Sequence, residues 1–223
     1  MGEGITDDEL AHAPEWDKPM LEMYQGVTNP DSDPSRALVS FASSATPEFV
    51  LERIREAIMS GAMFTDFEEI PSDRLMDLRQ EFADTLGTDD FTLDSITDSL
   101  MEFEADLSRD EAERIARTES SAVLNSARED AYREQGEDDG LFYWTGAEPG
   151  DDRQTDACEW LIEETNPFHG GEPVPMDELQ EMLGEAWTHD DDMTTNMARP
   201  DSWIVHINER SSFAQAPPNW QQL

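Results

Sequence analysis

Ser108 to Gly136 reads SRDEAERIARTESSAVLNSAREDAYREQG and is the longest uninterrupted helical signal in the chain. Ser108 with Glu111 predicts a capping box, in which each side chain satisfies the other residue's free backbone N–H. Gly136 predicts the stop, because glycine enters the left-handed C-cap without a Cβ penalty. At 3.6 residues per turn, Ala112, Ile115, Ala116, Ala122, Val123 and Ala127 share one face. That face is narrow and built mostly from small residues, so a partner element can approach closely. Glu119 falls in its middle, one turn from Ile115 and one turn from Val123. A carboxylate on an apolar face is costly unless it is paired or hydrogen-bonded. The sequence therefore predicts a partner for Glu119, from later in the chain or from another chain. A second stripe runs through Thr118, Asn125 and Tyr132, and Arg117 and Arg128 fall together on a third face.

Upstream of this helix the chain predicts three shorter ones. Thr46-Pro47 is a cap followed by a first-turn proline, and Val50, Ile54, Ala57 and Ile58 form an apolar face ending at Gly61. A second helix starts near Ser72, with Leu75, Leu78, Phe82 and Leu86 on one side. A third starts near Thr92, with Leu93, Ile96, Leu100, Phe103 and Leu107 alternating at three and four, the spacing of a helix packed lengthwise on another. These apolar residues read as a bundle core. Residues 1–45 read as an extended arm, punctuated by Pro14, Pro19, Pro30 and Pro34. Trp16, Met20, Leu21, Met23 and Tyr24 make one apolar cluster in it. The arm either lies on the protein's own surface or anchors a partner through Trp16 and Tyr24, since buried aromatics carry much interface energy.

Downstream the texture changes. Leu141 to Thr145 is an aromatic run that predicts a strand. Asp156 to Glu164 predicts a short helix, Asn166 to Gly171 a loop, and Pro175 to Leu183 another helix. Ser202 to Ile207 predicts a second strand, and residues 214–223 an irregular tail. The expected fold class is α+β and mostly helical: an arm (1–45), a helical region (46–107), a mixed α/β domain (108–213) and the tail.

The chain holds 53 acidic and 14 basic residues, a formal charge of -39, and Lys18 is its one lysine. The acid is spread along the chain with apolar periodicity intact between the charges, unlike a disordered acidic tail. This pattern reads as adaptation to high salt, where screening weakens self-repulsion. It argues against direct binding of nucleic-acid phosphates, which requires clustered Lys and Arg. The single cysteine, Cys158, excludes an internal disulfide and a multi-cysteine zinc site. The chain has no apolar run of membrane-spanning length and no secretory signal pattern, which places the expected workplace in the cytoplasm or in something assembled there.

Chemistry is thinly signalled. There is no glycine-rich phosphate loop, and His12, His169, His189 and His206 include no pair at helical ligand spacing. Cys158, His169 and His206 with Asp152 make a metal site only if separate loops converge; taken singly, Cys158 reads as a small buried apolar residue and His206 as a hydrogen-bonded strand residue. Asp151-Asp152-Arg153 reads as an acid pair or, better, as a turn whose Arg153 pairs with a carboxylate such as Glu119, since a buried acid favours a bidentate partner. Nothing implies a cofactor or a resident metal.

The order of these features resembles the Mu-F-like family of phage head morphogenesis proteins, also called minor head proteins. The residues that carry the resemblance are Ala116, Arg117, Thr118, Glu119, Asn125, Arg128, Tyr132 and Gly136 on the helix. Trp144 at the end of an aromatic strand, then Asp151, Arg153, Thr155 and Cys158, continue it. The family's closing Pro-His-Cys-Arg segment is not matched: Pro200 and His206 are far apart, Arg210 follows, and no second cysteine exists. If relatives use those cysteines for a metal, this chain lacks that site. The resemblance covers roughly residues 108–213. It implies a virion component, in the capsid interior or at the portal vertex, present in multiple copies around one vertex. Its partners would be the viral portal protein and the major capsid protein, and its role procapsid assembly, genome packaging or ejection. With the salt-adapted composition, it implies a tailed virus of a haloarchaeon. Two other classes compete: an acidic regulatory or DNA-mimic protein, and a hydrolase or transferase with Glu119, Asp152 and His206 as first suspects.

Overall fold

The computed structural model describes residues 7–18, 48–60, 72–85, 93–103, 107–137, 139–145, 155–193, 195–206 and 211–222. Within them lie helices α1 (Asp7–His12), α2 (Glu48–Ser60), α3 (Ser72–Thr85), α4 (Leu93–Phe103), α5 (Arg109–Gln135), α6 (Asp156–Thr165) and α7 (Met176–Glu185). Strands β1 (Leu141–Thr145), β2 (Val174–Pro175) and β3 (Ser212–Gln215) complete the fold. The protein is α+β and mostly helical, as the sequence leads one to expect.

The predicted long helix is α5. Ser108 sits in extended backbone at φ -72°, ψ 158°, its hydroxyl accepts from the Glu111 N–H, and the Glu111 carboxylate accepts from the Ser108 N–H at 3.0 Å. Gly136 takes the left-handed conformation at φ 71° and its N–H closes back on the Arg133 and Tyr132 carbonyls. The small-residue face packs as read: Ala112, Ala116, Ala122, Val123 and Ala127 are buried, and α2 and α4 lie along it.

Two hydrophobic cores flank α5 and the sheet. The first joins Ile54, Ile58, Leu78, Phe82, Ile96 and Leu100 of the bundle to the alanine face of α5, and to Tyr143 and Ala214 of the sheet. It therefore runs across the expected boundary at 107/108. The second joins Tyr132, Phe142, Trp144 and Phe213 to Cys158 and Leu161 of α6, Leu179 and Leu183 of α7, and Trp203. Alternation along β1 does this sorting: Phe142 and Trp144 face one core, Tyr143 the other.

The sheet is antiparallel, in the order β2-β1-β3. Trp144 is opposite Phe213, and Leu141 is opposite Pro175. Three expectations need correction here. Ser202 to Ile207 is not a strand in its described part, residues 202–206. Pro200–Ser202 form a 3₁₀ turn and Trp203 adopts φ 57°, ψ 40°, a conformation that breaks any extended run. Only Ile204 pairs, as an isolated bridge to Arg199. Trp203, Ile204 and Val205 are all buried, so the apolar triplet reflects burial on every side rather than strand alternation. The second correction is the tail: residues 212–215 form β3, and Trp220–Gln222 a 3₁₀ turn. The third is the arm, of which residues 7–18 are not extended. They form α1 and a following turn, with Glu9, Ala13 and Asp17 buried. Tyr24 lies outside the described residues.

Candidate functional site

The candidate residues on α5 converge on one buried polar seam. Arg128 is fully buried, as is the residue it faces, Asp17 from the N-terminal segment. Its Nε and one terminal nitrogen donate to the two Asp17 carboxylate oxygens, both at 2.7 Å. This is the bidentate geometry that suits guanidinium to carboxylate. The other terminal nitrogen donates to the Ser212 hydroxyl of β3. The guanidinium lies 4.6 Å over the Phe213 ring, a favourable place for a cation.

The seam continues in both directions. Tyr132, one turn along from Arg128, donates its hydroxyl to Asp17 at 2.7 Å. Its ring packs edge-on against Trp16 at 4.7 Å and against Phe142 at 5.0 Å. Burial first, and then the Asp17 charge, push the Tyr132 phenol well above its usual pKa. On the other side the Ser212 hydroxyl donates to the Asn125 side-chain oxygen at 2.7 Å. The Asn125 amide donates to the Trp203 carbonyl at 3.3 Å and to the Ser211 carbonyl at 3.5 Å. A single relay thus ties the N-terminal segment, α5, β3 and the Trp203 turn together. The left-handed backbone at Trp203 is held within it: the indole N–H donates to Glu129 at 2.8 Å and the ring stacks on Phe213 at 4.0 Å.

Glu119 is buried and does have a partner, Arg199, at 3.0 Å. The donor comes from later in the same chain, one of the two sources the sequence allows, and among the described residues it is Arg199. Burial lowers the pKa of Arg79 on α3, and the Glu119 carboxylate opposes that shift. Glu119 is therefore felt by the bundle and the C-terminal half alike. Asp152 and Arg153 lie outside the described residues.

The remaining candidates divide. Thr118 is buried, and its hydroxyl donates to the Arg114 carbonyl one turn back at 2.9 Å. Arg117 is only partly buried and pairs with Glu113 along the helix surface, so it does not share the environment of Arg128. Trp144 is fully buried, with its backbone N–H donating to the Thr165 hydroxyl at 2.9 Å. Trp16 is half-buried against Tyr132.

The speculative metal ligands come together in part. Cys158 Sγ lies 3.3 Å from His206 Nε2, and the Ser211 hydroxyl lies 3.8 Å from the same sulfur. His169 sits exposed in the Pro167–His169 turn. Among the described residues, no group of three or more His, Cys, Asp or Glu side chains is placed to hold a metal ion.

Several residues of the seam carry no sequence signal. Asp17 and Glu9 are two acids among 53. Glu9 nevertheless accepts from the Thr145 hydroxyl at 2.7 Å and from the Asn166 amide at 3.1 Å. Chemically, the seam is a clasp: Arg128, Tyr132, Asn125 and Ser212 donate to acceptors within the chain. An open groove of about 250 Å³ lies elsewhere, between α3 and α4, lined by Asp77, Leu78, Glu81, Ser99, Glu102 and Phe103. No helix among the described residues is long and apolar enough to cross a membrane. Comparison with known protein families, curated proteins and solved structures finds no match to this chain.

Proposed function

We propose that this chain is a structural minor head protein of a tailed virus, resembling the Mu-F-like family, that associates with the portal vertex and performs no chemistry of its own. The observation that supports this reading is the fate of the residues carrying the resemblance. Glu119, Asn125, Arg128 and Tyr132 are buried and directed at Arg199, Ser212 and Asp17, so the motif acts as scaffold. A catalytic reading of Glu119 needs it aimed at a cavity, and its carboxylate is instead closed by a guanidinium. The portal protein and the major capsid protein are the proposed partners, met in several copies around one vertex during assembly, packaging or ejection.

The charge of -39 fits a protein that stays hydrated and soluble in concentrated salt, as in a virus of a haloarchaeon. The helical circular-dichroism signal should then fall as salt drops below the molar range; a fold equally stable in dilute buffer refutes the salt argument. The functional reading is tested by cryo-electron microscopy of the virion and by mixing with portal protein at molar salt. A ring of copies at one vertex supports it, whereas absence from virions and no portal association overturn it. The same charge favours a second reading, an acidic DNA mimic. Reversing exposed carboxylates separates the two, since mimicry alone depends on the charge pattern itself.

A further inference from the structure

Where α5 meets α2 and α4, carboxylates are answered by arginine. Glu134 of α5 accepts from Arg53 of α2 at 2.9 Å, and Arg109 of α5 donates to Asp98 of α4 at 2.8 Å. Between α3 and α4 that pattern stops, and the two helices wall the open groove of about 250 Å³. Asp77 and Glu81 stand one turn apart on the α3 wall, and Ser99 and Glu102 on the α4 wall. The Ser99 hydroxyl donates to Glu81 at 2.9 Å, which bridges the walls at one point without adding a positive charge. Among the described residues, Asp77 and Glu102 have neither a hydrogen-bond nor an ion-pair partner. Arg79 of α3 interacts with Glu119 instead. The groove floor is apolar: Leu78 is buried in the first core and Phe103 packs against the same core.

We infer that this groove docks a segment of a different protein that presents one apolar side chain flanked by arginines. Its volume is below the roughly 300–1,000 Å³ of small-molecule sites, so it admits side chains rather than a whole ligand. The floor takes the apolar side chain, since both surfaces then leave water. The walls select what lies beside it. A guanidinium offers a carboxylate two parallel donors, whereas an acidic segment meets three carboxylates of its own sign. A second copy of the chain is a poor source of such a segment. It has 14 basic residues against 53 acidic ones, and Arg53, Arg109, Arg117, Arg128, Arg133 and Arg199 are already paired within the chain. Any acidic surface attracts polycations in dilute buffer, but at molar salt the Debye length is about 3 Å. Diffuse attraction is then screened, and a cation held against a groove carboxylate keeps its contribution. Apolar contact supplies the affinity and the charged rim supplies the choice of partner. The inference stands apart from the vertex reading, because it uses only the chemistry of the groove.

The test is fluorescence anisotropy at molar salt, with the full chain titrated into a labelled probe. The probe is an alanine-based helical peptide carrying one leucine, with an arginine one turn away on each side. Saturable binding is expected. Asp77→Asn combined with Glu102→Gln should weaken it about tenfold, as expected from losing two part-exposed ion pairs. Glu178→Gln combined with Glu181→Gln removes the same charge from exposed positions of α7 and should change it less than about twofold. Replacing the leucine of the peptide with alanine should also weaken binding, by about tenfold or more. The groove substitutions are isosteric and lie at exposed positions, and circular dichroism at the same salt separates loss of binding from loss of fold. Absence of saturable binding to the parent chain overturns the inference. So does an equal loss in the two double variants, because general charge then explains the attraction. Equal binding of the leucine and alanine peptides overturns it as well, since the floor then plays no part.

Discussion

The two buried sides of α5 are built from opposite chemistry. Toward α2 and α4 it presents Ala112, Ala116, Val123 and Ala127, which meet Ile54, Ile96 and Leu100 within one apolar core. Toward the N-terminal segment and β3 it presents Asn125, Arg128 and Tyr132, which meet Asp17 and Ser212 by directed hydrogen bonds. Apolar contact is non-directional and tolerates rearrangement of similar volume. A buried guanidinium tolerates only a partner of the right charge and geometry. The first side therefore supplies general cohesion, and the second specifies which segments meet.

Arg128 is where this contrast is most easily broken. Arg128→Ala leaves Asp17 buried without its partner and should cost about 4 kcal/mol, measured by denaturant unfolding at molar salt. Arg128→Ala combined with Asp17→Ala should cost clearly less than the sum of the two single changes, because the stranded charge is then gone. Additivity would sink the idea that the pair acts as a unit. On the apolar side, Leu100→Ala should cost about 3 kcal/mol through lost burial and a residual cavity. Leu100→Met should cost much less, since volume is kept. If Leu100→Met proved as damaging as Leu100→Ala, the apolar side would be as exacting as the polar one.

Glu119 lies between these two regimes, on the alanine face but paired to Arg199. Arg199 keeps part of its exposure, 15% against 5% for Glu119, so solvent softens the loss of the pair. Glu119→Ala should cost about 2 kcal/mol and abolish no chemical step. Unchanged thermal unfolding at molar salt would show that Glu119 organises nothing.

The contrast also explains what the sequence could reveal. The apolar side repeats at 3.6 residues and its ends carry Ser108, Glu111 and Gly136, so α5 is readable from local signals. The aromatic run of β1 is readable for the same reason. The stripe places Asn125 and Tyr132 on one side of the helix, but neither their burial nor their partners followed from it. Asp17 is chosen from many acids by a contact 111 residues long, and no periodicity reports that. That Glu119 needs a partner was readable from its place on an apolar face, but Arg199, at the head of the Pro200–Ser202 turn, pairs with it across 80 residues of sequence that no local pattern links. The strand β3 was missed because Ser212 and Ala214 have weak strand preference. Its place comes from Phe213 stacking on Trp203 and pairing opposite Trp144.

The smallest effect expected lies at the start of α5, where local chemistry alone acts. Ser108→Ala removes the side-chain acceptor for the Glu111 N–H, a loss of about 1 kcal/mol for an ordinary N-cap. The hydrogen bond from the Ser108 side chain, followed by that from its backbone, holds the Glu111 carboxyl below its ordinary pKa. A carboxyl depressed in the folded state adds stability above its unfolded pKa, and that contribution is lost as pH falls through the folded value. Stability of the parent chain should therefore decline on the acid side, and Ser108→Ala should make that decline shallower while leaving the alkaline side unchanged. Urea unfolding of both chains across the acid range checks this. An identical acid slope in the two would mean that the box contributes geometry without the charge. The start of α5 would then resemble its apolar side more than its polar one.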